Sequence, residues 1–260
     1  MSSRDLLRRI WHRLPGAVRK QLLSLYYSLH EIITISKDVF STPNLKIGDF
    51  DYNKYWGIRG KSSVQPRHLI IANVIDDGSS VLEVGCGDGW LMEFLEEQER
   101  GIRCIGFDVS ETSIQMAKER GLNAHNADVM SEDFQVDSTY DYVLSCELLE
   151  HISHPEKVIL KLRNSFSKAM IISAPNSAYF KYRLRLLFGR FPLQWGWHPV
   201  EHLRYWSILD FRWWISELGL NVSAVKPATG ITFLNLHRLW PNMFAHDIVY
   251  IIAKDKNTAR

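Results

Sequence analysis

The chain is poor in cysteine, poor in net charge and free of internal repeats and low-complexity tracts. Its three cysteines, Cys86, Cys104 and Cys146, have neither paired nor metal-ligand spacing. That speaks against a disulfide framework or a thiolate zinc site and suits reduced thiols in a cytoplasmic protein. Lys and Arg number 31 against 29 Asp and Glu, a formal net charge of +2, so the total does not mark a nucleic-acid binder. A long apolar run is also missing. The stretch from Leu22 to Ile35 is interrupted by His30 and Glu31 and falls short of the roughly 18 apolar residues of a spanning helix. Arg, Asp and His recur through the first residues, where a signal peptide would be apolar.

What is present is concentrated in residues 81–91, Val-Leu-Glu-Val-Gly-Cys-Gly-Asp-Gly-Trp-Leu, which read as a buried strand, a glycine turn and a helix start. Gly85, Gly87 and Gly89 remove the Cβ atoms that would hold a ligand off the backbone, and a helix N-terminus offers unpaired N–H groups. The dinucleotide fingerprint G-x-G-x-x-G is absent, because Trp90 stands where its third glycine would be. Glu83 lies inside the strand, where a carboxylate needs a cation or donors; an amino-acid ammonium satisfies it. A second strand ends in Asp108, placed for ribose hydroxyls, and a third in Asp128, placed for an exocyclic amine. Ammonium, carboxylate, ribose and adenine together describe S-adenosylmethionine.

Glu83 through Gly89, Asp108 and Asp128, in that order, resemble motifs I, II and III of the class I S-adenosylmethionine-dependent methyltransferases. The resemblance covers most of residues 47–255. It implies donor contacts at Glu83, Gly85, Gly87, Gly89, Asp108 and Asp128, with Cys86, Val109, Val129 and Cys146 beside them. Strands are expected near 80–84, 103–108, 122–127, 140–145, 168–174, 221–226 and 247–253. Helices are expected near 62–75, 88–98, 111–120, 154–166 and 208–218. The alternation predicts an α/β, Rossmann-like seven-stranded sheet covered on both faces, with the last hairpin antiparallel by resemblance.

Two units are expected: a helical extension over 1–46 and a methyltransferase domain over 47–260 with an acceptor-side insertion at about 176–206. In the extension, Leu6, Leu7, Ile10, Trp11 and Leu14 recur at helical spacing between arginines, and a second periodic segment runs from Val18 to Ile35. Residues 1–40 therefore suit peripheral contact with the inner face of an anionic membrane, or plain packing on the body or on a partner subunit.

Beyond the fourth strand comes Glu147-Leu148-Leu149-Glu150-His151. Ligands of open α/β sheets bind beyond the carboxyl ends of the strands, so this segment adjoins the reacting methyl. A helical turn would put Glu147, Glu150 and His151 on one face. With His202 downstream, this E-x-x-E-H element is similar to that of the small-RNA 3′-terminal ribose 2′-O-methyltransferases; the ubiquinone-biosynthesis O-methyltransferases share it. The resemblance implies a divalent metal such as Mg²⁺ on Glu147, Glu150, His151 and His202. Without metal, His151 or His202 is the candidate general base, with Glu147 beside them and His198 recommended only by proximity.

The insertion is similar to the corresponding region of the MetW-like methyltransferases, which lack E-x-x-E-H. Arg183, Arg185 and Arg190 suit an anionic acceptor, and Trp195 or Trp197 a sugar or base; alternatively Leu184, Leu187 and Phe188 pack a basic amphipathic lid onto the body. The leading function is O-methylation of a small-molecule or saccharide hydroxyl. RNA ribose 2′-O-methylation and a non-catalytic regulatory subunit that binds S-adenosylmethionine are the competing readings.

Overall fold

The computed structural model describes residues 15–42, 51–59, 62–194 and 201–254. The first helix expected from the sequence (Leu6 to Leu14), and Trp195, Trp197 and His198, lie outside them.

Seven strands form one sheet: β1 (Ser80–Val84), β2 (Arg103–Asp108), β3 (Ala124–Asn126), β4 (Tyr140–Cys146), β5 (Phe166–Pro175), β6 (Leu220–Pro227) and β7 (Asp247–Lys254). Their order is β3-β2-β1-β4-β5-β7-β6. The first five are parallel, and β7 runs antiparallel to both β5 and β6. The expected mixed sheet is therefore the observed one.

Side chains alternate across the sheet, so each central strand feeds two apolar layers. Leu82, Val84, Val143 and Met170 join Val158, Ile159, Leu162, Phe211 and Ile215 on one face. These come from helices Pro155–Leu162 and Ile208–Glu217, and Phe211 stacks on Tyr250 at 3.9 Å between ring centroids. Val81, Tyr142, Leu144 and Ile171 join Ile71, Leu91, Met92, Leu95, Ile114 and Ala117 on the other. The helices there are Pro66–Ala72, Trp90–Glu96 and Glu111–Glu119.

The helix expected over 62–75 begins instead at Pro66. Gln65 and His68 form a reciprocal capping box, with the Gln65 N–H donating to His68 Nδ1 at 3.1 Å, and proline suits the first helical position. A separate helix, Tyr52–Arg59, precedes it. The N-terminal helices Gly16–Ile33 and Ile35–Phe40 pack on the body. Ser24 Oγ meets Thr232 Oγ1 at 2.8 Å, and Lys181 Nζ donates to Asp38 Oδ2 at 2.5 Å.

Candidate active site

A cleft of about 570 Å³ opens at the carboxyl ends of β1, β2 and β4, within the usual size range of small-molecule sites. Its floor is the turn after β1. Gly85 and Gly87 have φ of +75° and +54°, and a Cβ at Gly87 would fall 2.4 Å from Trp56 Cζ2. Gly89 faces the other way: a Cβ there would lie 2.4 Å from Leu122 Cδ1 and 3.0 Å from Ala117 Cβ. Of the three glycines assigned to the donor by sequence, Gly89 is thus occupied with helix packing, while Gly85 and Gly87 line the cleft.

The acids at the strand ends converge on the same floor. Asp108 Oδ2 accepts the Gly87 N–H at 2.9 Å, and Oδ1 accepts the Ser110 N–H at 2.9 Å and the Ser113 hydroxyl at 3.2 Å. Burial raises the Asp108 pKa, and those donors pull it back. A carboxylate offers about four acceptor positions, so Asp108 retains capacity for a ligand hydroxyl. Asp128 caps the Met130 N–H at 2.8 Å and, with Val109, Val129, Cys86 and Cys146, lines the cleft wall. Burial pushes the Cys146 thiol up to about 12 and the Cys86 thiol higher still, so both are packing surface rather than nucleophiles.

Glu83 is 2 % exposed and its Oε2 has no hydrogen-bond partner. Burial, reinforced by Asp108 and Asp88, raises its pKa to about 8. A cationic group is what this carboxylate lacks. Asp88, which the sequence reading passed over, is held by Arg120 Nη2 at 3.0 Å and fixes the outer side of the turn.

The roof comes from the two helices before β1. Tyr52, Tyr55, Trp56 and Arg59 line the cleft from helix Tyr52–Arg59, and Arg67 and His68 from the next. Tyr52 is pushed up to about 12 by burial and then by Asp108, and burial with Arg67 nearby lowers His68 to about 4. The spacing 52, 55, 56, 59 is one helical face and could have been found in the sequence.

The E-x-x-E-H element does not turn as one helix. Glu147 has φ +52°, and its N–H is held by Ser173, bonding the carbonyl at 3.1 Å and Oγ at 3.1 Å. Its Oε1 accepts the Ser173 hydroxyl at 2.8 Å, and Arg67 opposes the rise in pKa that burial causes. The helical turn, a short 3₁₀ segment, begins only at Leu149–His151. Glu147 therefore lies outside the helical turn of Glu150 and His151, because pairing with Ser173 of β5 captures its backbone before the turn starts, although its charge still reaches Glu150.

The other three proposed metal ligands do meet. One ligand atom each from Glu150, His151 and His202 lies within 4.8 Å of the others. Glu150 is fully buried, both its oxygens lack partners, and His202 Nδ1 is likewise buried and unpartnered. Burial, then Glu147, raises the Glu150 pKa; burial lowers His151, and burial with His151 lowers His202 to about 3. His151 Nδ1 donates to the Glu201 carbonyl, which leaves Nε2 as the lone-pair nitrogen, 3.9 Å from Glu150 Oε1. The Leu203 and Arg204 N–H groups both bond the Glu150 carbonyl, at 2.7 and 3.1 Å, clamping the His202 segment in place. His151 reaches the cleft, whereas His202 packs edge-on behind it at 4.8 Å between centroids.

In the insertion, the arginines expected to meet an anion serve the fold. Arg185 is 3 % exposed and donates through Nη1 to the carbonyls of Asp38, Val39 and Ser41; Arg190 also reaches Ser41, and Arg183 bonds the carbonyls of Ala178 and Asn242. Leu187 and Phe188, expected to pack on the body, are 76 % and 56 % exposed.

Comparison with known proteins agrees with this architecture. Residues 65–252 match the family model for the methionine biosynthesis protein MetW. A bifunctional MetXA/MetW protein of Rhodopirellula baltica is 26 % identical over 211 residues, which cover 74 % of this chain but only 33 % of that protein. A ubiquinone biosynthesis O-methyltransferase of Rickettsia felis is 30 % identical over 69 % of this chain and 75 % of its own length. A pavine N-methyltransferase of Thalictrum flavum is 31 % identical over 58 % of this chain and 51 % of that protein. Among solved structures, the magnesium protoporphyrin IX methyltransferase of Synechocystis with bound S-adenosylhomocysteine shares the fold. Its TM-score is 0.53 at 15 % identity, covering 91 % of this chain and all of that one. The chain belongs to the MetW family and is a class I S-adenosylmethionine-dependent methyltransferase.

Proposed function

We propose that the protein transfers a methyl group from S-adenosylmethionine to a hydroxyl oxygen of a small-molecule or saccharide acceptor, with a divalent cation at Glu150, His151 and His202. The donor half of this reading rests on the fit of the cleft floor. Glu83 carries a buried oxygen that needs a cation, Gly87 brings bare backbone to the cleft, and Asp108 at the end of β2 and Asp128 just past β3 line the same cleft. These residues would take the donor's ammonium, ribose and adenine.

The acceptor half is carried by one observation: a fully buried carboxylate with two unpaired oxygens faces two imidazoles that burial keeps neutral. A buried polar cluster left unsatisfied is costly, and a mixed oxygen and nitrogen donor set suits Mg²⁺, Mn²⁺ or Zn²⁺. A bound cation would supply Lewis acidity, lowering the pKa of an acceptor hydroxyl. The chain's own residues would orient the acceptor: His151 at the cleft edge, and the rings of Tyr52, Tyr55 and Trp56 along the roof. Glu147 sits between Ser173 and Arg67 as a positioning residue at the β4 end.

The test is methyl transfer by chelator-treated protein to a panel of hydroxyl acceptors, with each metal titrated back. Restored turnover supports the reading. Full turnover in excess chelator removes the cation from it.

A second reading, a regulatory subunit that binds S-adenosylmethionine and controls a partner enzyme, is favoured by the match to the methionine biosynthesis family. Donor binding without turnover on any hydroxyl would support it over the first.

A further inference from the structure

The exposed side of the molecule formed by the N-terminal helices, the insertion helix Phe180–Leu187 and the segment around residues 233–240 is both apolar and basic. Ile33, Leu187, Leu239 and Trp240 are 75 %, 76 %, 75 % and 55 % exposed, far outside the pattern of a packed helix. Phe40 and Phe188 are more than half exposed and still touch each other, with ring centroids 5.2 Å apart, so the helix Ile35–Phe40 and the end of the insertion helix present one apolar surface. The helix Gly16–Ile33 is tied to the 233–240 segment through Ser28 Oγ, which accepts the Phe233 N–H at 3.1 Å. The three segments thus pack side by side, and exposed apolar residues on neighbouring segments mark an interaction surface.

Charge says what that surface meets. Lys37, Arg183, Lys226 and Arg238 are exposed on these segments, while Lys181 and Arg185 are buried in the fold; the acids of residues 15–42, 177–194 and 226–246 are only Glu31 and Asp38. Asp38 is already paired with Lys181. The last two segments hold no acid at all, in a chain whose total is balanced. Among the described residues no helix is long and apolar enough to cross a membrane. An apolar surface with basic side chains around it and no spanning element has the composition of a face that rests in the headgroup layer, its apolar residues reaching the acyl boundary and its cations the phosphates.

We propose that this composite face seats the protein on a bilayer surface rich in anionic lipid. The surface is built from three separate chain segments, so it extends the membrane contact expected of residues 1–40 to the insertion helix and to Leu239 and Trp240. It does not depend on the methyl acceptor or on the cation.

The test is flotation of the full chain with vesicles of phosphatidylcholine alone and of phosphatidylcholine mixed with phosphatidylglycerol. Binding is expected to the mixed vesicles, weakening as salt screens the headgroups. The double variant Leu187→Glu/Phe188→Glu should lower the partition by more than about tenfold, and Lys37→Glu/Arg238→Glu should remove the preference for anionic lipid. Both pairs are surface residues, and an unchanged S-adenosylhomocysteine affinity checks that the fold is intact. Equal binding of wild type to neutral and anionic vesicles, or no loss in either variant, overturns the proposal. So does a stable dimer that Leu187→Glu/Phe188→Glu dissolves, since the face would then belong to a second copy. Absence of any vesicle binding by a monomer overturns it as well.

Discussion

The Gly87 N–H donates to Asp108 Oδ2 at 2.9 Å, joining the turn after β1 to the end of β2. One carboxylate thereby holds the glycine turn in shape and presents its remaining acceptor capacity to the cleft. Asp108→Ala removes both, and hydrogen bonds to a charged group are worth about 1.5–3 kcal/mol each. S-adenosylhomocysteine affinity should fall at least about tenfold by calorimetry. Asp108→Asn, which keeps an acceptor oxygen, should fall less. Equal affinity of wild type and Asp108→Ala would contradict the assignment.

Arg120 spans two acids, Asp88 Oδ2 at 3.0 Å and Glu93 Oε2 at 2.9 Å. Asp88 is only 2 % exposed, so removing its partner strands a buried charge, at a cost of about 3–5 kcal/mol. Arg120→Ala is therefore expected to lower the urea midpoint strongly with little change in the slope. Asp88→Asn/Arg120→Leu, which removes both charges, should recover most of the loss. A single variant as stable as wild type would show the pair to be dispensable.

The gathering of Glu83, Gly85, Gly87, Asp108 and Asp128 on one cleft was legible in the sequence because these residues obey local rules: acids at or just past strand ends and glycines in a turn. The E-x-x-E-H residues and His202 were legible in residue type but not in placement. Helical spacing put Glu147 with Glu150, yet Ser173 on the neighbouring strand fixes the Glu147 backbone at φ +52°, a pairing no sequence window contains. Arg185 illustrates the same limit. An arginine in a basic lid looks like an anion site until a distant helix end, at Asp38 to Ser41, brings its carbonyls to the guanidinium. Leu187 and Phe188 have lid-like periodicity, and only the tertiary arrangement leaves them facing outward.

The different anchoring of Glu147, held by Ser173, and of Glu150, in the 3₁₀ turn with His151, gives a discriminating prediction for the cation. Glu150→Gln removes the only carboxylate in the three-residue cluster and should weaken binding of Mn²⁺ or Zn²⁺ by about 10–100-fold or more. Glu147→Gln should leave metal affinity within a few-fold of wild type while perturbing the β4 end through Ser173 and Arg67. Calorimetric titration of the metal alone, in the absence of donor, reads the difference. Equal losses in the two variants would return Glu147 to the ligand set.

Glu83 offers the sharpest test of the donor's ammonium. Its pKa in the ligand-free protein is raised from an ordinary carboxyl value to about 8 by burial beside Asp108 and Asp88. The folded state therefore holds a proton that the unfolded chain has lost. The associated stability is complete below pH about 4.5 and is lost as pH rises through about 8. Near neutral pH most of the molecules carry this proton. An arriving ammonium favours the carboxylate and expels it, so S-adenosylhomocysteine binding near pH 7 should release close to one proton. Calorimetry in buffers of different ionisation enthalpy measures that number directly. Glu83→Gln should abolish the release, weaken the ligand, and flatten the fall in thermal midpoint of the ligand-free protein between about pH 5 and 8. Binding with no proton exchange in the wild type would mean that Glu83 is already ionised and that the ammonium is held elsewhere.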